Sequence, residues 1–431
     1  IPNARSNIRS KRIKSSNLAD LIPLYGPWPG HETPRVLLRS QMGSLVGLNP
    51  FSSDLPNFNQ IVAGGSGSGK SFLTNLILLQ MLKENPQVFI IDIGGSYKKL
   101  CENLNGQYIL FNIDSHLSIN PFELLPGESV PSDHKIKFLV GLVEMMTKEQ
   151  GDSGLKRLER AEIEAAIQEV YKSDRAPHLS DLRTILIKHP SSEINRIGTI
   201  LASWCDDTVY GKLVDRDTAI ALDRSLVCFD LKGLENVPEL QAVALYLITE
   251  HIWREVQKQR ERFKFLILDE CWKLLETDAG CAFIAEVYRT ARKYFWGVIG
   301  ISQNIDDFAK SKIATAILPN TSIKWILQQK GADQARLKEV LQLNDREMAL
   351  IASFHQERGV YSQAFLMLDD LHCLVDVEPT PLEYWVATSD PRDIGCFDKE
   401  VAQHPEKRPL TLLMELSQKY PRGIAAASEE T

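Results

Sequence analysis

Apolar and polar positions along the chain follow three different rhythms. From Asn59 to Asp92 an apolar QIVAGG leads through a glycine turn into the amphipathic KSFLTNLILLQMLKEN and then a second apolar run, QVFIIDIGG. That order predicts strand, helix, strand: a parallel βαβ unit. Just upstream, the alternation in RVLLRSQMGSLVGLNP predicts a hairpin leading into the core. Between Pro131 and Asp217 the strand signal vanishes, and KIKFLVGLVEMMTK, LKRLERAEIEAAIQEVYKS, HLSDLRTILIKH and INRIGTILASWC all carry helical spacing. In the second of these, Leu155, Leu158, Ile163, Ala166, Ile167, Val170 and Tyr171 are expected to share one face. Strands return at SLVCFDLKGL and alternate with helices through ELQAVALYLITEHIWREVQKQRE, FKFLILDE and SIKWILQQ. Asn344 and Glu347 have the spacing of a capping box.

The expected fold is therefore α/β with a predominantly parallel sheet and an inserted all-α unit. Its boundaries read as a basic, Pro/Gly-containing linker over 1–34, a discontinuous α/β domain over 35–130 and 218–390, a helical insertion over 131–217, and a peripheral C-terminal segment over 391–431.

Composition narrows this picture without redirecting it. The 431 residues suffice for a large core, and because the first is Ile1 the sequence reads as a fragment or a processed chain. No apolar run approaches the roughly 18 residues of a membrane span, so a soluble chain is expected. The seven cysteines form no CxxC pair, which favours reduced thiols over a disulfide or zinc framework. A net charge of −7 argues against a surface whose main task is gripping nucleic acid, leaving that partner open but not favoured.

Residues 64–71, GGSGSGKS, match G-x-x-x-x-G-K-[ST] between a predicted strand and a predicted helix. A triphosphate is wrapped by backbone N–H groups, which only a loop poor in side chains brings close, at the positive end of a helix. Gly64, Gly65, Ser66, Gly67, Ser68, Gly69, Lys70, Ser71 and Phe72 are accordingly assigned to the nucleotide. Lys70 would reach the β- and γ-phosphates, and Ser71 would bind Mg²⁺. FKFLILDE ends a strand in two acids: Asp269 suits the metal, and Glu270 the water that attacks ATP. Asp92, at the end of VFIIDIGG, either approaches the nucleotide or caps the next turn, and it stays outside the catalytic set.

Residues 290–304, TARKYFWGVIGISQN, contain a short aromatic and β-branched run expected to be a core strand. In parallel ATPase sheets the strand after the DE motif lies beside the phosphate-loop strand, which would aim Gln303 at the γ-phosphate. Arg292 and Lys293, at the opposite end, would lie far from their own chain's nucleotide. For Arg292 a finger supplied to a neighbouring subunit's ATP and a solvated helix end are both open; for Arg289 and Lys293 the solvated end is the expected reading.

Together GGSGSGKS, SINPFELLPG, LILDECWKLL, ARKYFWGVIGISQN and LPNTSIKWILQQ resemble the conjugative type IV secretion ATPases, the F-type TraC family in particular, over most of residues 35–390. The resemblance implies a RecA-like P-loop NTPase fold and a hexameric ATPase on the cytoplasmic face of a bacterial inner membrane. That enzyme would use ATP and Mg²⁺ for pilus biogenesis and substrate transfer beside other secretion components. It also implies that Lys70, Ser71, Asp269, Glu270, Gln303 and Arg292 carry the roles given above. The family's large amino-terminal domain is not in this sequence, and the basic start reads as the linker left by its removal. Two competing expectations are a DNA-translocating motor of the coupling-protein or FtsK/HerA type and a scaffold gated by nucleotide without hydrolysis.

Overall fold

The computed structural model describes residues 14–16, 18 and 28–424, apart from 114–116, 125–126, 149–153, 174, 221, 223, 271–277, 311–312, 330–333, 358 and 370. Most of the basic start and the CWKLL part of the DE motif lie outside the described residues.

Among those residues the strands form one twelve-stranded sheet. Its centre holds β3 (Gln60–Ala63), β4 (Gln87–Asp92), β7 (Lys264–Asp269) and β8 (Trp296–Ser302), every residue of which is buried. Such unbroken burial is why these segments read as continuous apolar runs, since a parallel sheet is covered on both faces. With β5 (Gln107–Asn112), β6 (Leu226–Gly233) and β9 (Ile323–Ile326) they run parallel in the order β9-β3-β8-β7-β4-β6-β5. Beyond β9 the sheet turns antiparallel through β11 (Tyr361–Leu368), β12 (Leu371–Val377), β1 (Val36–Ser40) and β2 (Leu45–Leu48). The two-residue β10 (Gln356–Glu357) pairs with β11.

Alternate side chains of each central strand feed opposite cores, as the period of two requires. Val62, Val88, Ile90, Phe265, Ile267 and Ile301 face one core, and Ile61, Phe89, Ile91, Leu266, Leu268 and Val298 face the other. The first core is closed by α1 (Lys70–Met81). The second is closed by helices of the expected insertion, α2 (Asp133–Thr147), α3 (Arg157–Val170), α4 (Leu179–Ile187) and α5 (Ser192–Ile200), together with α6 (Pro238–Lys258).

Every described secondary-structure element between Asp133 and Val214 is a helix, and these helices share their hydrophobic core with the sheet. Phe138 of α2 stacks on Tyr246 of α6 at 4.7 Å, and at Gly141 an added Cβ would come within 2.8 Å of the Tyr246 hydroxyl, so the two helices approach closely there. A buried ion pair, Lys135 Nζ to Glu250 Oε1 at 2.9 Å, crosses the same contact.

Two expectations need correction. Leu158 does not join the buried stripe of α3 but is 72% exposed, because five helical positions before Ile163 turn it well off that face; Leu155 precedes the helix. The C-terminal segment is more than peripheral. After α7 (Pro381–Ala387) and α8 (Pro391–Gln403), α9 (Pro409–Lys419) buries Leu412, Leu413 and Leu416 in the core on the α1 side of the sheet. Asn75 of α1 donates to the Ala387 carbonyl at 3.2 Å, tying that layer to the phosphate-loop helix.

Candidate functional site

The loop from β3 to α1 needs its glycines for separate reasons. Gly67 and Gly69 have φ of 74° and 93°, in the left-handed region that side chains disfavour. At Gly64 the obstacle is space, because a Cβ would meet the Ser68 hydroxyl at 2.5 Å and Leu327 Cβ at 2.8 Å. Ser66 and Gly67 are exposed at the loop's crest, whereas Ser68 is buried and its hydroxyl has no hydrogen-bond partner among the described residues. Gly65 lies half-buried between them, its N–H donating to Gln328 O at 2.9 Å. The Lys70 ammonium donates to the Gly64 and Gly65 carbonyls at 2.8 and 3.2 Å. Burial lowers its pKa, with Glu270 and Asp269 acting in the opposite sense.

Parallel strands end on one edge, and there the predicted residues converge. β8 lies between β3 and β7, with Ala63 beside Ser302 and Asp269 beside Ile301. This is the insertion expected from the sequence. Ser71 Oγ donates to Asp269 Oδ2 at 3.4 Å, a long contact that brings the two expected metal ligands together. Glu270 has a left-handed φ of 55°, and its N–H donates to Asp269 Oδ1 at 3.1 Å. Its Oε1 accepts from Gln303 Nε2 at 2.9 Å. Burial, then Asp92 and Glu270, push the Asp269 carboxyl up to about 7, against the pull of Lys70.

Arg292 stands at the other end of β8. Its Nη1 donates to the Pro56 carbonyl at 2.6 Å, and its guanidinium lies 6.0 Å from the Phe58 ring centre. Arg289 and Lys293 are exposed nearby. None of these cations joins the phosphate-loop edge of its own chain, as expected from their position.

A cavity of about 510 Å³ opens beside the loop. Gly67–Phe72 form one wall; the other comes from Gln356, Glu357, Gly359–Ser362 and Thr388–Pro391, with Tyr384 between. Phe72 and Tyr384 rings lie 6.0 Å apart. Sequence reasoning missed this second wall. The available signal, Thr388 and Asp390 before Pro391, is fully accounted for by a helix start: Asp390 Oδ1 accepts from the Arg392 N–H at 2.9 Å.

Residues 49–404 match the TraG P-loop domain. The chain belongs to that family. This TraG P-loop domain is 25% identical over 389 residues to protein TraC of Escherichia coli K12, covering 84% of this chain and 43% of that protein. It is 26% identical over 364 residues to the type IV secretion system protein virB4 of Bartonella henselae, covering 80% of this chain and 43% of that protein. The chain thus spans less than half the length of either relative. Among solved structures, VirB4 of Thermoanaerobacter pseudethanolicus superposes with a TM-score of 0.71 at 23% identity, covering 83% of this chain and all of that one. The RecA-like P-loop fold is thereby shared.

The donor set of this TraG P-loop domain fits Mg²⁺. Ser71 and Asp269 offer hard oxygens, and among the described residues no group of three acids, histidines or cysteines gathers to cage a metal. Mg²⁺ characteristically takes one or two protein oxygens and completes its shell with phosphate and water. Among the described residues no helix is long and apolar enough to cross a membrane.

Proposed function

We propose that this TraG P-loop domain is the Mg²⁺-dependent ATP-hydrolysing motor of a conjugative type IV secretion system, driving pilus biogenesis and substrate transfer. The observation that supports this reading best is the Gln303–Glu270 hydrogen bond on the strand edge shared with the phosphate loop, because a carboxylate fixed in this way is suited to orient an attacking water. Gly64–Phe72 bind the triphosphate, Lys70 pairs with its terminal phosphates, and Ser71 and Asp269 hold the cation. Glu270 takes the proton of the attacking water, while Gln303 fixes the Glu270 rotamer and reports the γ-phosphate. Bound Mg²⁺ supplies charge neutralisation at the phosphate oxygens. In the working assembly, a hexameric ring docked with other secretion components at the cytoplasmic face of the inner membrane, Arg292 exchanges its Pro56 contact for the neighbouring subunit's ATP.

Steady-state hydrolysis and ATP binding test this together. Glu270→Gln is expected to lose about 10²- to 10⁴-fold in turnover while still binding ATP, the scale of general-base catalysis. Lys70→Ala is expected to lose both. Full hydrolysis by either variant overturns the reading.

A further inference from the structure

Two fully buried polar side chains flank the metal-facing residues, each with an oxygen that has no hydrogen-bond partner among the described residues. Asp92 ends β4, and the pairing of Ile91 with Leu268 sets it alongside Asp269 at the end of β7. Its Oδ1 accepts from the Gly94 N–H at 2.9 Å, the turn cap that is one of its two sequence readings; its Oδ2 has no hydrogen-bond partner among the described residues. Tyr97 has no exposed surface, and its hydroxyl is likewise unpartnered. Burial first, and then the charges of Asp269 and Asp92, raise the pKa of that phenol, while the Ser71 side chain beside it acts in the opposite sense.

The next strand provides the contrast. Asp230 pairs in register with Asp92 and is as deeply buried, yet both its oxygens are engaged: Oδ1 by the Lys232 N–H at 2.8 Å and Oδ2 by the Tyr108 hydroxyl. The carboxylate away from Ser71 is satisfied by the chain, whereas the one beside the cation site is not. An unsatisfied buried polar atom costs about 1–3 kcal/mol, so two together point to a group that the site is built to receive. Mg²⁺ keeps several of its waters when bound by few protein oxygens, and such waters need acceptors around them.

We propose that Asp92 Oδ2 and Tyr97 Oη are positioning residues that hold waters of the nucleotide-bound Mg²⁺, behind the direct ligands Ser71 and Asp269. The assignment rests on the proposed nucleotide site. It separates two carboxylates that sequence position alone treats alike: Asp269 faces the cation and Asp92 faces its water shell.

Mn²⁺ in place of Mg²⁺ gives a readout independent of turnover, since free Mn²⁺ is counted by electron paramagnetic resonance. With ATP present, Asp92→Asn and Tyr97→Phe are each expected to weaken Mn²⁺ binding about 10- to 100-fold, while ATP affinity measured in EDTA stays unchanged. Tyr97→Phe removes only an unsatisfied oxygen, so the chain without metal should melt no lower than the unmodified one. Unchanged Mn²⁺ affinity in both variants overturns the assignment and leaves the nucleotide site standing. Equal loss of ATP affinity with and without Mn²⁺ also overturns it, because that marks damage to the phosphate loop. If the unmodified chain binds ATP neither alone nor with Mn²⁺, the proposed function falls and this assignment with it.

Discussion

The two ends of β8 make opposite kinds of contact. At the carboxyl end Gln303 reaches a carboxylate just past the neighbouring strand, so that three segments distant in sequence, the P-loop, the Asp269–Glu270 pair and Gln303, meet on one edge. At the amino end Arg292 is spent on a main-chain carbonyl, Pro56 O, and an aromatic face, Phe58. The first end is assembled by the chain itself. The second has a complete local reason to exist and acquires a catalytic one only against another subunit. A shared edge of a parallel sheet is thus strong grounds for a joint role, whereas a cation across the sheet needs evidence from the assembly.

The sharpest way to break this comparison is Arg292→Ala in chains concentrated enough to assemble. Serving a neighbour's ATP, the substitution should cost about 10³-fold or more in turnover, and mixing with Lys70→Ala chains should recover part of it. Unchanged turnover would leave Arg292 with its Pro56 contact alone. Gln303→Ala tests the other end: losing the Glu270 contact should lower turnover by about 10²-fold with ATP binding retained, the scale of a misplaced catalytic group. Equal loss of binding and turnover would instead make Gln303 part of the nucleotide cradle. Between the two ends, Gly300 has no room for a methyl, since a Cβ would meet the Tyr288 hydroxyl at 2.7 Å and Phe308 at 3.2 Å. Gly300→Ala should therefore cost about 1–3 kcal/mol in denaturant unfolding. The smallest effect is one of pH. With the Asp269 carboxyl at about 7, protons compete with the cation below that value and withdraw above it. Mg²⁺ affinity with ATP present should rise from pH 6 to 8 by at most about tenfold per unit and then level off. A flat profile would mean that Asp269 is ionised throughout.

What the sequence made legible follows the same division. The phosphate loop, the DE motif and the place of β8 were readable because each is a local pattern that the parallel-sheet rule then arranges. Asn344 and Glu347 exchange the two hydrogen bonds of a capping box, at 2.9 and 2.8 Å, for the same reason. The second wall of the cavity beside the phosphate loop was not readable. It meets the phosphate loop across nearly three hundred residues, as in the Gln356 contact with the Gly67 carbonyl at 3.4 Å, and the helix-capping duty of Asp390 masks any further role. The C-terminal helices were misjudged because amphipathic surface helices and core-closing ones share one apolar period, and only the uncovered sheet face tells them apart. Leu158, read into the stripe by helical spacing, lies five positions before Ile163 and so points well off the buried face.

The Lys135–Glu250 contact has a mechanical consequence. A helical layer swinging away from the sheet on a hinge would leave an ammonium and a carboxylate stranded in an apolar core, at a cost of about 3–5 kcal/mol for a broken buried pair, besides unstacking Phe138 from Tyr246. Sliding of α2 along α6 by a fraction of a turn keeps both contacts within reach of a side-chain adjustment. Helix α2 is thus riveted to α6, and a displacement passing through that contact would take the form of shear.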